Sequence, residues 1–173
     1  IYVFMFGYVF KSKIPYFAVF IFIGITLWDF FNKSLHQSVK VIKGNKAIVS
    51  KVYIPKFILL MVKMGVNGFK MFISLIIVAV MALVWRVHLT WNVLYVIPIL
   101  MTLIVIVFGL GCFFLHYGVF VEDLSNVLNI ALRFLFYLTG VFWDIMDRLP
   151  APYNAYIGKG NPIAFLITSM RQC

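Results

Sequence analysis

The sequence predicts an all-α protein that crosses a membrane several times, and three observations predict it. First, 64% of the 173 residues are hydrophobic and only 12% are charged, with a mean hydropathy of +1.05. An ordinary soluble chain is roughly 45–50% apolar and about 25% charged, and a chain of this size has no aqueous core able to take up the excess. Second, the apolar residues come in runs that approach or exceed the roughly 20 residues a spanning helix needs. Third, 15 Lys and Arg stand against 5 Asp and Glu, a net charge of +10, and the basic residues gather mostly between the runs. In a soluble chain that excess would suggest nucleic acid; between membrane runs it reports topology, because cytoplasmic loops collect Lys and Arg.

Taken in order, residues 1–10 read as the tail of one helix, closed by Lys11, Ser12, Lys13 and Pro15. Residues 16–34 form the next, continuing as a more polar helix toward Lys43. Residues 57–85, 93–117 and 124–143 are three further spans, and a last segment starts at Pro162. The 57–85 run is roughly 43 Å long as a straight helix, more than the hydrocarbon slab, so its first turns should protrude into the inner headgroup layer. The lysine-rich stretch 40–56, which carries no acid, is the candidate cytoplasmic loop. Alternation then puts Lys11 and Lys13, Arg86 and residues 148–159 outside, with Trp85, Trp91 and Trp143 as interfacial anchors, and leaves the turn at 118–123 inside. Pro150, Pro152, Gly158 and Gly160, followed by Asn161 and Pro162, suit a re-entrant hairpin at the outer face. Such backbone survives at membrane depth only where protein or a wet cavity satisfies it. Residues 1–173 thus read as one membrane domain with no soluble part. The chain opens without Met inside an apolar run and stops at Cys173 shortly after a new one begins, so it is expected to be a piece of a longer protein, lacking the N-terminal part and most of the last helix.

Several polar side chains fall inside these runs. Asp29, Lys33, His36, Lys40 and Lys43 share one helical face. That face is either the inner mouth of a polar pathway or one solvated side of a helix leaving the membrane, and Asp29 is deep enough to want a partner such as Lys33 one turn on. Lys56, Lys63, Asn67 and Lys70 align on another run; Lys56 and Lys63 suit snorkelling, whereas Lys70 must snorkel, pair or face a cavity. Asn126, Asn129, Arg133 and Gly140 align on a third. Arg133 is either structural, paired with Asp29 or Asp123, or functional, attracting a phosphate. Tyr137, Trp143, Tyr153 and Tyr156 approach the outer exit and offer rings on which sugars stack, or else sit as interfacial belt residues. Cys112 and Cys173 have no disulfide or metal spacing. The sequence carries no GxxxxGK[ST], HExxH, CxxC or GxSxG motif, so ATP hydrolysis by this chain is excluded. Asp144 and Asp147 form a DxxD pair that reads more economically as a solvated helix end than as a metal site.

The order of features resembles a known family. A helix carries Gly24-Ile25-Thr26-Leu27-Trp28-Asp29-Phe30-Phe31, and a basic loop reads Asn45-Lys46-Ala47-Ile48-Val49-Ser50-Lys51-Val52-Tyr53-Ile54-Pro55. Val121-Glu122-Asp123-Leu124, then Leu138-Thr139-Gly140-Val141-Phe142-Trp143, and finally Asn161-Pro162 with Arg171 follow. The pattern is similar to the permease subunits of type-2 ABC exporters for O-antigen, teichoic acid and capsular polysaccharide, over nearly the whole chain. It departs in one place, where Glu122-Asp123 stands for the family's frequent Arg-Asp.

The resemblance implies about six membrane helices in the full chain, a re-entrant outer hairpin and a cytoplasmic coupling helix. Asn45, Lys46, Ile48, Val49, Lys51 and Pro55 would dock that helix on a separate ATPase subunit. It further implies a bacterial inner-membrane homodimer that exports a lipid-linked, phosphate-bearing glycan. Lys70, Arg133, Tyr137, Trp143, Tyr153 and Tyr156 would lie along the substrate path. No cofactor is implied on this chain, because ATP and Mg would sit on the partner subunit, and catalytic and metal sites are expected to be absent. The alternatives are a type-2 exporter of drugs or lipids, a membrane-embedded glycosyl or phosphoryl transferase using Asp123, Asp144 and Asp147 around a metal, and a passive channel.

Overall fold

The computed structural model describes residues 17–44, 55–84, 94–118, 120–121, 123–139 and 161–172. Among these the regular structure is helical throughout, in the order α1 Phe17–Gly44, α2 Lys56–Val84, α3 Val96–Tyr117, α4 Leu124–Leu138 and α5 Pro162–Gln172. The expected runs at 1–10 and 140–143, the basic loop at 45–54 and the hairpin at 140–160 lie outside the described residues.

Helix α1 is one continuous helix of 28 residues, so its apolar first part and polar second part are not separate elements. All four other helices pack on it. Leu27, Trp28, Phe31 and Leu35 form the centre of the core, together with Leu60 and Met64 of α2, Leu103 and Val107 of α3 and Leu132 of α4. Helices α2 and α3 are each long and apolar enough to cross a membrane. Their outward surfaces remain apolar, with Phe69, Phe72, Ile77, Met101 and Val105 exposed. Water would penalise that surface, whereas hydrocarbon accepts it without cost. The arrangement is that of a helical membrane protein, with the most polar of the long helices at the centre and the most apolar ones around it.

Contacts fix the helix directions. Asn67 of α2 meets Ser34 and Gln37, while Val78 packs with Val19, so α2 runs antiparallel to α1. Helix α3 runs parallel to α1, since Ile106 and Leu110 lie beside Trp28 and Phe31 and Gly118 lies against Val39. Helix α4 returns antiparallel, bringing Phe136 to 5.4 Å from Trp28 between ring centroids. Alternation of spans expects the segment from Pro162 to run opposite to α4, but α5 runs with it. Pro162 starts beside Phe31 and Thr139, and Arg171 reaches the carbonyl of Phe20 at 3.2 Å, with its guanidinium 3.5 Å from the Phe20 ring centroid. Helices α4 and α5 therefore run in the same direction along α1, with a break between them at Thr139 and Asn161.

The break is held by hydrogen bonds. Asn161 caps α5, its Oδ1 accepting from the backbone N–H of Ile163 (3.1 Å) and Ala164 (3.4 Å), with Pro162 at the first helical position, where its missing N–H costs nothing. Asn161 Nδ2 donates to Thr139 Oγ1 at 3.1 Å, and Thr139 Oγ1 donates to the Leu135 carbonyl at 2.6 Å. Residues 140–160 thus leave and rejoin the described structure at one point.

Candidate functional site

The side of α1 that its neighbours leave least covered carries Asp29, Lys33, His36 and Lys40. Lys33 and Lys40 are exposed, Asp29 and His36 half-buried. Lys33 Nζ lies 2.7 Å from Asp29 Oδ2, so the partner expected for Asp29 is the lysine one turn on rather than Arg133. The other described acid, Asp123, accepts from Asn126 Nδ2 at 3.0 Å at the start of α4. Neither carboxylate pairs with Arg133.

Arg133 and Tyr137, one turn apart on α4, are both exposed. They face Trp28 and Asn32 of α1 across a recess of about 310 Å³, which Leu132 and Phe136 complete. The recess lies near the middle of α1: Asn32 is 15 residues from Phe17 and 12 from Gly44, roughly 22 and 18 Å at the helical rise. Trp28 is buried and wedged between Phe31 and Phe136, each 5.4 Å away between centroids. This packing fixes the wall of the recess.

Lys70 is not part of this recess. It is exposed on α2, which meets α1 through Ser34 and Gln37, whereas α4 meets it near Trp28 and Asn32. At 100° per residue those two pairs point to nearly opposite sides of α1, so within one subunit Lys70 and Arg133 are separated by α1. The stripe read on α2 also divides. Lys56, Lys63 and Lys70 are exposed, but Asn67 is only 3% exposed and donates through Nδ2 to Ser34 Oγ (3.2 Å) and Gln37 Oε1 (3.1 Å). Its Oδ1 is buried and meets no donor among the described residues.

Of the expected coupling residues only Pro55 is described. It is exposed at the entry to α2, and its carbonyl accepts from Ile58 N–H at 3.0 Å. Asn45, Lys46, Ile48, Val49 and Lys51 lie outside the described residues, as do Trp143, Tyr153 and Tyr156. Sequence reasoning missed Trp28 and Asn32 as recess walls and Ser34, Gln37 and Asn67 as an interhelical polar node. The signal for the node was present, since small and amide side chains inside an apolar helix bond across helix pairs. Among the described residues no group of three His, Cys, Asp or Glu is placed to hold a metal ion.

No family model matches the chain. It is similar to two proteins called O-antigen export system permease protein RfbA from Klebsiella pneumoniae. One is 24% identical over 173 residues and the other 24% over 172, each covering 99% of this chain and 66% of the relative. A protein of the same name from Myxococcus xanthus is 22% identical over 169 residues, 98% of this chain and 65% of the relative. The chain thus spans about two thirds of the length of these relatives. They bear out the likeness to polysaccharide-export permeases that the motifs carry.

Proposed function

We propose that this chain is the membrane-spanning part of an ATP-driven exporter that moves a lipid-linked cell-surface polysaccharide across the bacterial cytoplasmic membrane. The likeness to O-antigen export permeases along 98–99% of the chain carries this reading. The arrangement of the helices supports it: a central helix with one polar side, enclosed by helices whose outer faces suit lipid. On this reading the chain is a transport subunit and not an enzyme. Two copies form the path, and a separate ATPase subunit holds ATP and Mg. The full protein crosses the membrane about six times. Residues 140–160 form a re-entrant excursion that leaves and rejoins the broken span α4/α5 beside Phe31, about halfway along α1, and residues 1–173 belong to a single permease domain.

The mechanism follows from the connections. Residues 45–55 join α1 to α2, so a push on that loop by a closing ATPase acts directly on the central helix. Because α1 touches every other helix, its displacement changes the spacing of the whole set, a rigid-body switch between closed and open paths. Arg133 and Lys70, on opposite sides of α1, would meet an anionic linkage at different places, and Tyr137, Trp143, Tyr153 and Tyr156 would guide the sugar rings.

Affinity purification of the full-length protein from its own cells, with and without residues 44–55, tests the reading. Recovery of an ATPase with the intact protein and its loss on deletion is the expected result; no ATPase with either form removes the energy source and with it the exporter. Export measured after neutralising Lys70 or Arg133 tests the path, and unchanged export in either variant removes that residue from it.

A further inference from the structure

We propose that the recess between α1 and α4 is a binding site for a phosphate ester carried on a membrane lipid, with Arg133 and Asn32 as its polar contacts and Tyr137 at its mouth. The proposal deepens the exporter reading and rests on it only for the choice between two lipids. Arg133 projects from a helix whose exposed side chains include Val127, Ile130, Phe134 and Leu138, with the uncharged Asn129 and Tyr137 one turn away on its own stripe. A cation in such surroundings calls for an anion or water. The described carboxylates are engaged elsewhere, Asp29 by Lys33 at 2.7 Å and Asp123 by Asn126 at 3.0 Å. Asp123 is also ten residues down α4, roughly 15 Å at the helical rise. Among the described residues no carboxylate pairs with Arg133, so its charge is available to a ligand.

The lining identifies the ligand's chemistry. A guanidinium offers a fork of N–H donors that fits two oxygens of a phosphate, the Asn32 carboxamide and the Tyr137 hydroxyl add donors, and among the described residues no carboxylate lines the space. Trp28, Leu132 and Phe136 supply apolar walls, suited to the carbon stem that follows the phosphate. A volume of about 310 Å³ equals that of about ten waters, enough for a diphosphate or a glycerophosphate head but not for an oligosaccharide. The site would thus hold the anionic junction of its ligand and leave the glycan outside. Phosphate esters of this kind come from two sources, the diphosphate of a polyprenyl-linked sugar and the headgroup of an anionic bilayer lipid.

The test uses the full-length protein with any co-purifying ATPase, in phosphatidylcholine nanodiscs. Binding of a polyprenyl diphosphate and, separately, of phosphatidylglycerol is measured by native mass spectrometry for wild type, Arg133→Gln, Arg133→Lys, Asn32→Leu and, as control, Lys63→Gln. The expected result is a loss of about tenfold or more in Arg133→Gln, in line with the strength of a charge-assisted hydrogen bond. Arg133→Lys and Asn32→Leu should lose less, and Lys63→Gln should match wild type. Arg133 dependence for the polyprenyl diphosphate assigns the site to the transported lipid. The same dependence for phosphatidylglycerol alone assigns it to a bilayer headgroup, with the phosphate chemistry upheld. Equal binding of both probes by wild type and Arg133→Gln overturns the site. An ATPase that still co-purifies would show that such a failure belongs to the site and not to the exporter reading.

Discussion

Gly118 lies where the turn between α3 and α4 meets the backbone of α1, and replacing it with Ala is the sharpest test of how these helices pack. A Cβ at this position would lie 2.9 Å from the Phe114 carbonyl oxygen, 3.1 Å from the Val39 oxygen and 3.2 Å from the Val39 Cα. All three atoms belong to the backbone, so no flexible side-chain end can give way and a helix must shift. The glycine's own φ of −63° and ψ of −14° suit any L-residue, which leaves crowding as the whole cost. Overpacking of this kind costs about 1–3 kcal/mol, and Ala returns about 0.4–1 kcal/mol by narrowing the unfolded ensemble. The net expectation is a destabilisation of about 1–2 kcal/mol. Gly65→Ala and Gly109→Ala are internal controls, because a Cβ there meets nothing within 4 Å and both sit inside helices. They should gain up to about 1 kcal/mol from helix propensity. Gly111→Ala falls between, its nearest neighbour being the Leu60 side chain at 3.2 Å. Equilibrium unfolding of the full-length protein in mixed micelles titrated with a denaturing detergent ranks the four variants. Gly118→Ala at or above the stability of Gly109→Ala would refute the close approach of the turn to α1.

Asn161→Ala removes both the cap of α5 and the bond to Thr139; it should cost about 1–2 kcal/mol and speed hydrogen exchange at the Ile163 and Ala164 amides, and unchanged exchange there would remove the cap. Asn67→Ala and Ser34→Ala, combined in a double-mutant cycle, should show a coupling of about 0.6 kcal/mol, the scale found for hydrogen bonds between membrane helices; additive effects would mean the two side chains do not bond. Lys33→Met should cost less than about 1 kcal/mol, because both side chains of the pair are about half exposed (53% and 49%) and exposed pairs contribute little. A loss above about 2 kcal/mol would place Asp29 in a far drier setting.

The elements were legible because a spanning helix in lipid needs only length and apolarity. The run read as 57–85 folds as Lys56–Val84, and the one read as 93–117 as Val96–Tyr117. The pairing of Asp29 with Lys33 was legible too, since four residues make one turn. What the pattern did not hold was the identity of each helix's neighbours. Lys63, Asn67 and Lys70 share a stripe by spacing, yet Asn67 turns into α1 while the lysines stay out, a division set by the Ser34 and Gln37 that happen to stand opposite. Arg133 was visible as an anomaly in an apolar run, but Trp28 and Asn32 became its neighbours only through the direction in which α4 returns along α1.

The direction of α5 escaped the sequence for a different reason. Counting spans assumes that each apolar segment reverses the last, and the apolarity of the segment from Pro162 carries no direction that could reveal that it does not. The signal was in the dipeptide Asn161-Pro162, a helix-start signature that coincides with the place where Thr139 ends α4. A broken span exposes carbonyls at the end of one half and N–H groups at the start of the next, and hydrocarbon satisfies neither. Asn161 answers part of both demands, accepting from two N–H groups of α5 while donating to the hydroxyl that itself bonds the α4 carbonyl of Leu135. The join is therefore a specified contact between polar groups, and it holds the end of α4 to the start of α5 although 21 residues, 140–160, separate them in sequence. Arg171, bonded to the Phe20 carbonyl and stacked on its ring, ties the far end of α5 to α1. Any displacement of α1 that keeps these contacts must carry α5 with it, and so must move the end of α5 that anchors the inserted segment.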